Sequence, residues 1–205
     1  MSSKGRVEIQ EGVGGGMGPD LPAVLVDLPD GISSSDAVKR FLDLRPDVRC
    51  VMLGGHAVQS RMQLITAWIH TTRNELRGSM VARSVDAEFL RYLAGTHHVS
   101  EAFARAGVQN EQRHAWLVYL PLARGQANEL GHLQPEMDHD QTSPRATLLE
   151  LAQSLDWRYQ ESNMHFSIEG ALQLGIDVDA WVEGREEESL VAHIMMADDQ
   201  SSSYR

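Results

Sequence analysis

A chain of 205 residues, 42% hydrophobic and 23% charged, can bury a core and has the composition of a soluble globular domain, with no apolar run of transmembrane or signal-peptide character. Its single cysteine, Cys50, excludes an intrachain disulfide and a metal site built from several thiolates, and we expect a cytoplasmic protein. The net charge of -11 argues, on its total alone, against binding to nucleic acid.

Composition divides the chain into three parts. Residues 1–21 are rich in glycine and serine, and we expect a flexible N-terminal segment. Their run GVGGGMG resembles a phosphate-binding loop only superficially, because Pro19 follows where a lysine and a helix start are needed, and we interpret it as a linker. Residues 22–198 are expected to form a single domain, and residues 199–205 a flexible tail.

The first half of the domain is predicted to alternate strands and helices. Apolar runs bounded by breaking residues predict strands at Ala23–Leu28 and Val48–Leu53. Between them, Ser34 or Ser35 caps a helix that runs from Asp36 to Leu44. Ser60 caps a longer helix that ends near Leu76. Its buried stripe is expected to consist of Met62, Ile65, Trp68, Ile69 and Thr72.

The next segment, SVDAEFLRYLAGTHHVSEAFARAGV from Ser84 to Val108, predicts two short helices joined by a tight basic turn. Ser84 caps the first helix, and Gly95 stands where a left-handed residue is needed to end it. The turn at Thr96–Val99 contains two histidines, and the second helix is predicted to end at Gly107.

The remainder is predicted to contain a strand at His114–Leu122, a long polar loop at Gly125–Pro144 and helices at Arg145–Leu155 and His165–Leu174. The run Leu190–Met196 fits a strand or a buried helix, and its even apolar character favours a strand. This order of elements predicts an α/β fold, with a single mixed β-sheet of about four strands packed with five or six helices.

Motifs of catalysis are not found in the sequence: it contains no GxSxG, no HExxH, no P-loop lysine and no paired cysteine ligands. Two adjacent histidines, His97 and His98, would point about 100° apart on a helix and cannot form a same-face ligand pair. A loop with Glu136, Asp138 and His139–Asp140 leaves a metal-dependent enzyme open, although a solvated acidic loop is the simpler interpretation. The residues therefore give no positive case for catalysis, and we expect no metal or cofactor.

The charge is unevenly distributed, and this favours a different function. Residues 60–127 carry three more basic than acidic side chains, whereas residues 128–205 carry an acidic excess of twelve. Binding of a polyanion depends on the local field, and arginine suits phosphate because its planar fork donates two parallel hydrogen bonds. The candidate RNA-binding residues are Arg73, Arg77, Arg83, Arg91, His97 and His98. Alternatively, the arginines pair with Glu75, Asp86, Glu88 and Glu101 on a solvated surface, and the acidic third only maintains solubility.

The same segment resembles a known family, the small accessory subunit of the KEOPS complex (the PRPK-binding protein family). In that family a helix ending in an LLYLSG-like string is followed by a basic turn, an ISEA helix and a glycine with an aliphatic residue. This chain has FLRYLAG from Phe89, then VSEA from Val99, then Gly107 and Val108. The resemblance is specific in sequence over about residues 83–108 and extends in element order over about residues 23–198.

The resemblance implies an α/β fold with no enzymatic activity of its own. Family members bind the N-terminal lobe of the small PRPK-type kinase of the complex and help to recruit tRNA, including its 3′ CCA end, for threonylcarbamoyl-adenosine formation. We therefore expect a non-catalytic subunit whose partners are that kinase and tRNA, with the six basic residues above contacting RNA. The alternative is a pure protein adaptor that stimulates the kinase without touching RNA. The family's turn often has arginine where this chain has His97 or His98, so a phosphate contact there should weaken as pH rises.

Overall fold

A computed structural model describes residues 21–129, 131–138, 144–161, 163–179 and 181–199. The strands are β1 (Ala23–Asp27), β2 (Cys50–Gly54), β3 (His114–Tyr119), β4 (Ala123–Arg124), β5 (Glu136–Met137) and β6 (Tyr159–Gln160). The helices are α1 (Ser34–Leu44), α2 (Arg61–Arg77), α3 (Val85–Leu93), α4 (Val99–Ala106), α5 (Pro144–Ser154), α6 (Ile168–Gln173) and α7 (Glu186–Asp199).

A four-stranded sheet in the order β2-β3-β1-β6 forms the centre of the fold. Every neighbouring pair of strands in it is antiparallel. Leu117 of the central strand β3 lies opposite Val24 of β1 on one side and opposite Met52 of β2 on the other. Strands β4 and β5 form a separate two-stranded sheet. The α/β class and the four-stranded sheet are confirmed, whereas the pairing is antiparallel throughout and not mixed.

Side chains alternate between the two faces of the sheet, and each face carries its own core. Val26 and Leu117 face a core that α1 and α5 complete. Trp116 and Val118 face the opposite core, which contains buried residues of α2, α3, α4, α6 and α7. The sheet is therefore the middle layer of three.

Helix ends follow the predicted signals in most places. Ser60 accepts a hydrogen bond from the Gln63 N–H and begins α2, as predicted. Gly95 has a φ of 56°, which confirms the predicted left-handed residue after α3. The cap of α1 is Ser33 instead of Ser34 or Ser35, because the Ser33 hydroxyl accepts from the Asp36 N–H.

The predicted strand at Leu190–Met196 is wrong, because this run lies inside α7. The buried residues Leu190, His193, Ile194 and Ala197 recur at three- and four-residue spacing, which is a helical stripe. Three glutamates stand in the first turn, where the helix dipole favours negative charge. That acidic start was the signal for a helix.

The predicted stripe of α2 is rotated. Met62 is 48% exposed, whereas Gln63 is only 1% exposed and faces the core. Gln63 tolerates burial because its amide accepts from the Gln59 N–H at 2.9 Å and donates to the Ala57 carbonyl at 3.2 Å. The buried residues of α2 are Gln63, Leu64, Ala67, Trp68, Thr71 and Thr72.

Several other boundaries differ from prediction or fall outside the described ranges. The predicted loop at Gly125–Pro144 contains β5, which pairs with β4. Leu21, assigned to the N-terminal segment, is buried in the core. The GVGGGMG run, His139–Asp140 and all but the first residue of the predicted tail lie outside the described residues. Within those ranges, no helix has the length and apolar character needed to cross a membrane.

Candidate functional site

A polar cavity of about 590 Å³ opens between α2, the end of α7 and the loop that joins β4 to β5. We call it the α2 pocket. Its basic and hydrogen-bonding residues include His70, Arg73, Asn74, Arg77, Tyr92 and His132. This volume suits a ligand of nucleotide size, for which Arg73 and Arg77 supply two positive charges beside the carboxylate of Asp198.

Helix α2 places Arg73 and Arg77 one turn apart, so that both guanidinium groups reach the same cavity. Arg73 Nε donates to the Leu133 carbonyl at 2.9 Å, and Arg77 Nη2 donates to the Gly131 carbonyl at 2.7 Å. Each contact uses one N–H group of a guanidinium that has several. Neither arginine forms an ion pair with any described residue.

The carboxylates that were candidate partners for these arginines are engaged elsewhere. Asp86 pairs with Arg45 at 2.6 Å, and Glu101 pairs with Arg105 at 2.6 Å. Glu75 pairs with Arg49. These three carboxylates are therefore paired, but with arginines outside the α2 pocket, and the Arg45–Asp86 and Arg49–Glu75 pairs are partly buried and not solvated.

An aromatic wall lines one side of the α2 pocket. The rings of His70 and Tyr92 lie 5.2 Å apart between centroids, tilted by 42°. Burial lowers the pKa of His70, and the positive charge of Arg73 lowers it further against the opposing effect of Asp198. Burial and the neighbouring Asp198 carboxylate raise the pKa of Tyr92. Both rings are thus uncharged at neutral pH. The half-buried His70 ring can contact a ligand, whereas Tyr92 is 1% exposed and supports the His70 ring from within the fold.

Arg91 is buried and unavailable to a ligand, which corrects its place among the predicted RNA contacts. Its side chain is 0% exposed, and Nη2 lies 3.0 Å from Glu88 Oε1 and 3.2 Å from Asp198 Oδ1. Nη1 donates to the Ala197 carbonyl at 2.9 Å. Arg91 therefore ties α3 to the last turn of α7. The sequence could not reveal this role, because the presence of an arginine in a helix does not show whether its side chain is exposed or buried.

Glu88 completes the buried charge cluster around Arg91. Burial alone would raise the pKa of Glu88, but hydrogen bonds from Arg91, the Ala82 N–H and Asn74, with the charge of Arg91, leave the pKa below its usual value. Asn74 also donates to the Tyr92 hydroxyl at 2.7 Å. The cluster therefore fixes two residues that line the α2 pocket.

The other three candidates lie outside the α2 pocket. Arg83 is exposed in the connection between α2 and α3. His97 and His98 lie in the turn at the opposite end of α3, with ring centroids 6.1 Å apart. Helix α3 has nine residues and spans about 13 Å, so these histidines are separated from Arg83 by that length. Of the six candidates, the structure brings only Arg73 and Arg77 into one cavity.

Three pocket residues, His70, Asn74 and His132, were not predicted from the sequence. His70, Asn74 and Arg77 follow a three- and four-residue spacing on α2, and this polar stripe was a usable signal. No comparable signal marks His132, because it lies in an irregular loop whose position depends on tertiary contacts.

The candidate metal ligands and the single thiol were also compared with the structure. No group of three or more histidine, cysteine, aspartate or glutamate side chains is arranged there to hold a metal ion. Burial raises the pKa of the Cys50 thiol to about 12, which opposes a nucleophilic thiolate. Asp138, a member of the candidate acidic loop, forms an ion pair with Arg124 at 2.8 Å.

Comparison with known proteins places the chain in a family. A search of curated proteins finds no match. A family model described as "Kinase binding protein CGI-121" matches residues 30–162, which is more than half of the chain and extends from the loop before α1 to just past β6. It includes α3 and α4, the segment that carried the sequence resemblance. The chain belongs to the CGI-121 family of kinase-binding proteins.

Proposed function

We propose that this protein is a non-catalytic, kinase-binding subunit of a KEOPS-type complex and that it recruits tRNA through the α2 pocket. The RNA part of the proposal is supported by one observation: neither Arg73 nor Arg77 forms an ion pair with a described residue. Both lie in one cavity of a strongly acidic chain, and neither is neutralised by a described carboxylate. Kinase binding follows from the family.

The pocket suits single-stranded RNA, because phosphates and bases are recognised there by different groups. The free N–H groups of Arg73 and Arg77 can donate to phosphate oxygens. The half-buried His70 ring, supported by the buried Tyr92, is an uncharged aromatic surface for a base, and stacking of this kind is sequence-tolerant. We assign the 3′ CCA end of tRNA to this pocket, since its nucleotides are unpaired and accessible.

Arg83, His97 and His98 remain part of the proposal as contacts for RNA outside the pocket. Arg83 and His98 are exposed, and His97 is half-buried. They flank the two ends of α3, outside the α2 pocket. Arg91 is excluded from this set by its burial.

The test is tRNA binding with and without the 3′ CCA, measured by fluorescence anisotropy across a salt series. We expect removal of CCA to weaken binding about tenfold or more and to reduce the salt dependence, because phosphate contacts release counterions. Equal affinity for both tRNAs with no salt dependence would reject RNA recruitment by this protein.

A pure protein adaptor is the second candidate function. It is favoured by the two hydrogen bonds that Arg73 and Arg77 donate to the β4–β5 loop, because arginines that position a loop need no RNA. In a reconstituted complex, an Arg73→Glu/Arg77→Glu variant separates the two functions. Loss of tRNA modification with unchanged kinase affinity supports RNA recruitment, whereas intact modification supports the adaptor.

A further inference from the structure

A second large groove, of about 1120 Å³, lies on the other side of the sheet from the α2 pocket. It runs along α5 and the residues that lead from α5 through β6. We call it the α5–β6 groove. Its lining includes Leu149, Glu150, Gln153, Trp157, Tyr159 and Glu161. All of these residues fall within the segment that matches the family.

The groove exists because the chain reverses sharply after α5. The Trp157 N–H donates to the Ala152 carbonyl at 2.9 Å, and the Asp156 N–H donates to the Gln153 carbonyl at 3.0 Å. These two bonds form a Schellman motif, with Asp156 in the left-handed region at a φ of 57°. Trp157 is 4% exposed at the floor of the groove, and its indole N–H has no acceptor among the described residues.

Strand β6 is an open edge of the sheet. The Asp27 N–H donates to the Arg158 carbonyl at 2.8 Å, so the main-chain groups of Arg158 face β1. Residues alternate along a strand, and the N–H and C=O groups of Tyr159 therefore face away from β1. They have no partner in the described part of the chain. Unpaired edge groups of this kind are a template for an added strand.

The lining of the groove is mainly acidic, and this favours a partner segment of positive charge. Glu150, Asp156 and Glu161 line it, against the single positive charge of Arg158. A second copy of this chain would bring the same carboxylates face to face, in a molecule that already carries a net charge of -11. A basic segment would meet a complementary surface, with Leu149, Trp157 and the Tyr159 ring as apolar contacts.

We propose that the kinase partner docks in the α5–β6 groove through an extended basic segment that pairs with Tyr159 and adds a strand to the sheet at β6. The proposal rests on the kinase-binding part of the proposed function and adds the surface and the chemistry of the docked segment. Main-chain hydrogen bonds to Tyr159 fix the register, and the carboxylates attract lysine or arginine side chains of the segment.

The test compares affinities for the purified kinase by calorimetry. Tyr159→Pro removes the outward N–H without removing a ladder bond to β1, because that N–H faces the open edge. Tyr159→Val retains the N–H and is the matched control. We expect Tyr159→Pro to weaken kinase binding at least tenfold and Tyr159→Val to weaken it less. A Glu150→Arg/Glu161→Arg variant should also lose at least tenfold.

A second measurement does not depend on how well the variants fold. Amide exchange of Tyr159 in the wild-type protein should slow at least tenfold when the kinase is added. Unchanged exchange at Tyr159, with unchanged affinity of the charge-reversal variant, overturns the docking site while kinase binding itself stands. If the wild-type protein does not bind the kinase, both the docking site and the kinase-binding function are overturned. If the wild-type protein is a dimer that Tyr159→Pro converts to a monomer, the occupant of the groove is a second copy of the chain, and the proposal is overturned.

Discussion

Arg91 is a charged side chain that connects α3 to α7 inside the fold. It is fully buried and holds Glu88, Asp198 and a carbonyl of α7. Replacing one partner of a buried ion pair leaves the other charge without compensation, at a cost of about 3–5 kcal/mol. Loss of Arg91 alone should therefore lower the free energy of unfolding, because Glu88 would remain buried without its partner.

We expect Arg91→Met to lower the free energy of unfolding by about 3–5 kcal/mol, measured by denaturant titration. The double variant Glu88→Gln/Arg91→Met should lose less than the single variant, because no buried carboxylate remains unpaired. Arg83→Met is the matched control, and its exposed position predicts a change within about 0.5 kcal/mol. A double variant less stable than Arg91→Met would contradict this account of the cluster.

Gly95 is required by both its conformation and its surroundings. Its φ is 56°, and a Cβ atom at this position would lie 2.6 Å from the His193 carbonyl oxygen of α7. Gly78 has a similar φ of 64° with no atom within 4 Å of the corresponding position. We expect Gly95→Ala to cost about 2–5 kcal/mol, from backbone strain and overpacking together, and Gly78→Ala only about 1–2 kcal/mol. Equal melting temperatures for the two variants would rule out the close contact with α7.

At the scale of elements, local signals predicted those parts of the fold whose residues interact with near neighbours in sequence. Ser60 and Gly95 mark helix ends through bonds within a few residues, and both predictions were correct. Strand β6 could not be predicted, because two residues contain no alternating pattern and pair only through distant β1. The same limit applied to Gln63, whose burial depends on carbonyl and amide groups of the preceding loop.

The candidate site was predictable to a similar extent. The clustering of arginines along α2 pointed to Arg73 and Arg77, which share a cavity. Arg91 has the same local sequence character but faces α7, an element more than ninety residues later that was assigned as a strand. Because the residues of α7 were predicted as a strand, the buried contacts of Arg91 with that helix could not be predicted. His132 was missed because only tertiary structure brings the β4–β5 loop to α2.

The β4–β5 loop should respond to loss of its arginine contacts. Arg73 and Arg77 donate to its Leu133 and Gly131 carbonyls. We expect Arg73→Gln/Arg77→Gln to increase amide exchange across residues 125–135, while α2 remains as protected as in the wild type. Increased exchange along α2 as well would show that the arginines support the helix and not the loop.

For the whole molecule, the buried His193 and the half-buried His56 and His70 predict how stability depends on pH. Burial lowers the pKa of His56, His70 and His193 below the ordinary value of 6.5. The unfolded chain therefore binds more protons than the native protein below that pH, so stability is complete above pH 6.5 and is lost as pH falls. We expect the free energy of unfolding to fall by about 1–3 kcal/mol between pH 7.5 and pH 5.5.

The control for this pH dependence is His70→Gln, which removes one of the three titrating groups. Its stability should change less with pH than that of the wild type over the same interval. A wild-type stability that rises as pH falls from 7.5 to 5.5 would contradict the burial of neutral histidines.

The net negative charge of the molecule opposes binding of RNA, and Arg73 and Arg77 must overcome this repulsion locally. The most direct test is the salt dependence of tRNA affinity for Arg73→Gln/Arg77→Gln, with the exposed pair Arg113→Gln/Arg145→Gln as the control of equal charge change. We predict that the pocket variant binds at least tenfold more weakly and that its log-log salt slope is shallower by about 1.4, the loss expected for two contacts to single-stranded phosphates. The control should retain the wild-type slope. Equal slopes for both variants would contradict RNA recruitment by the α2 pocket.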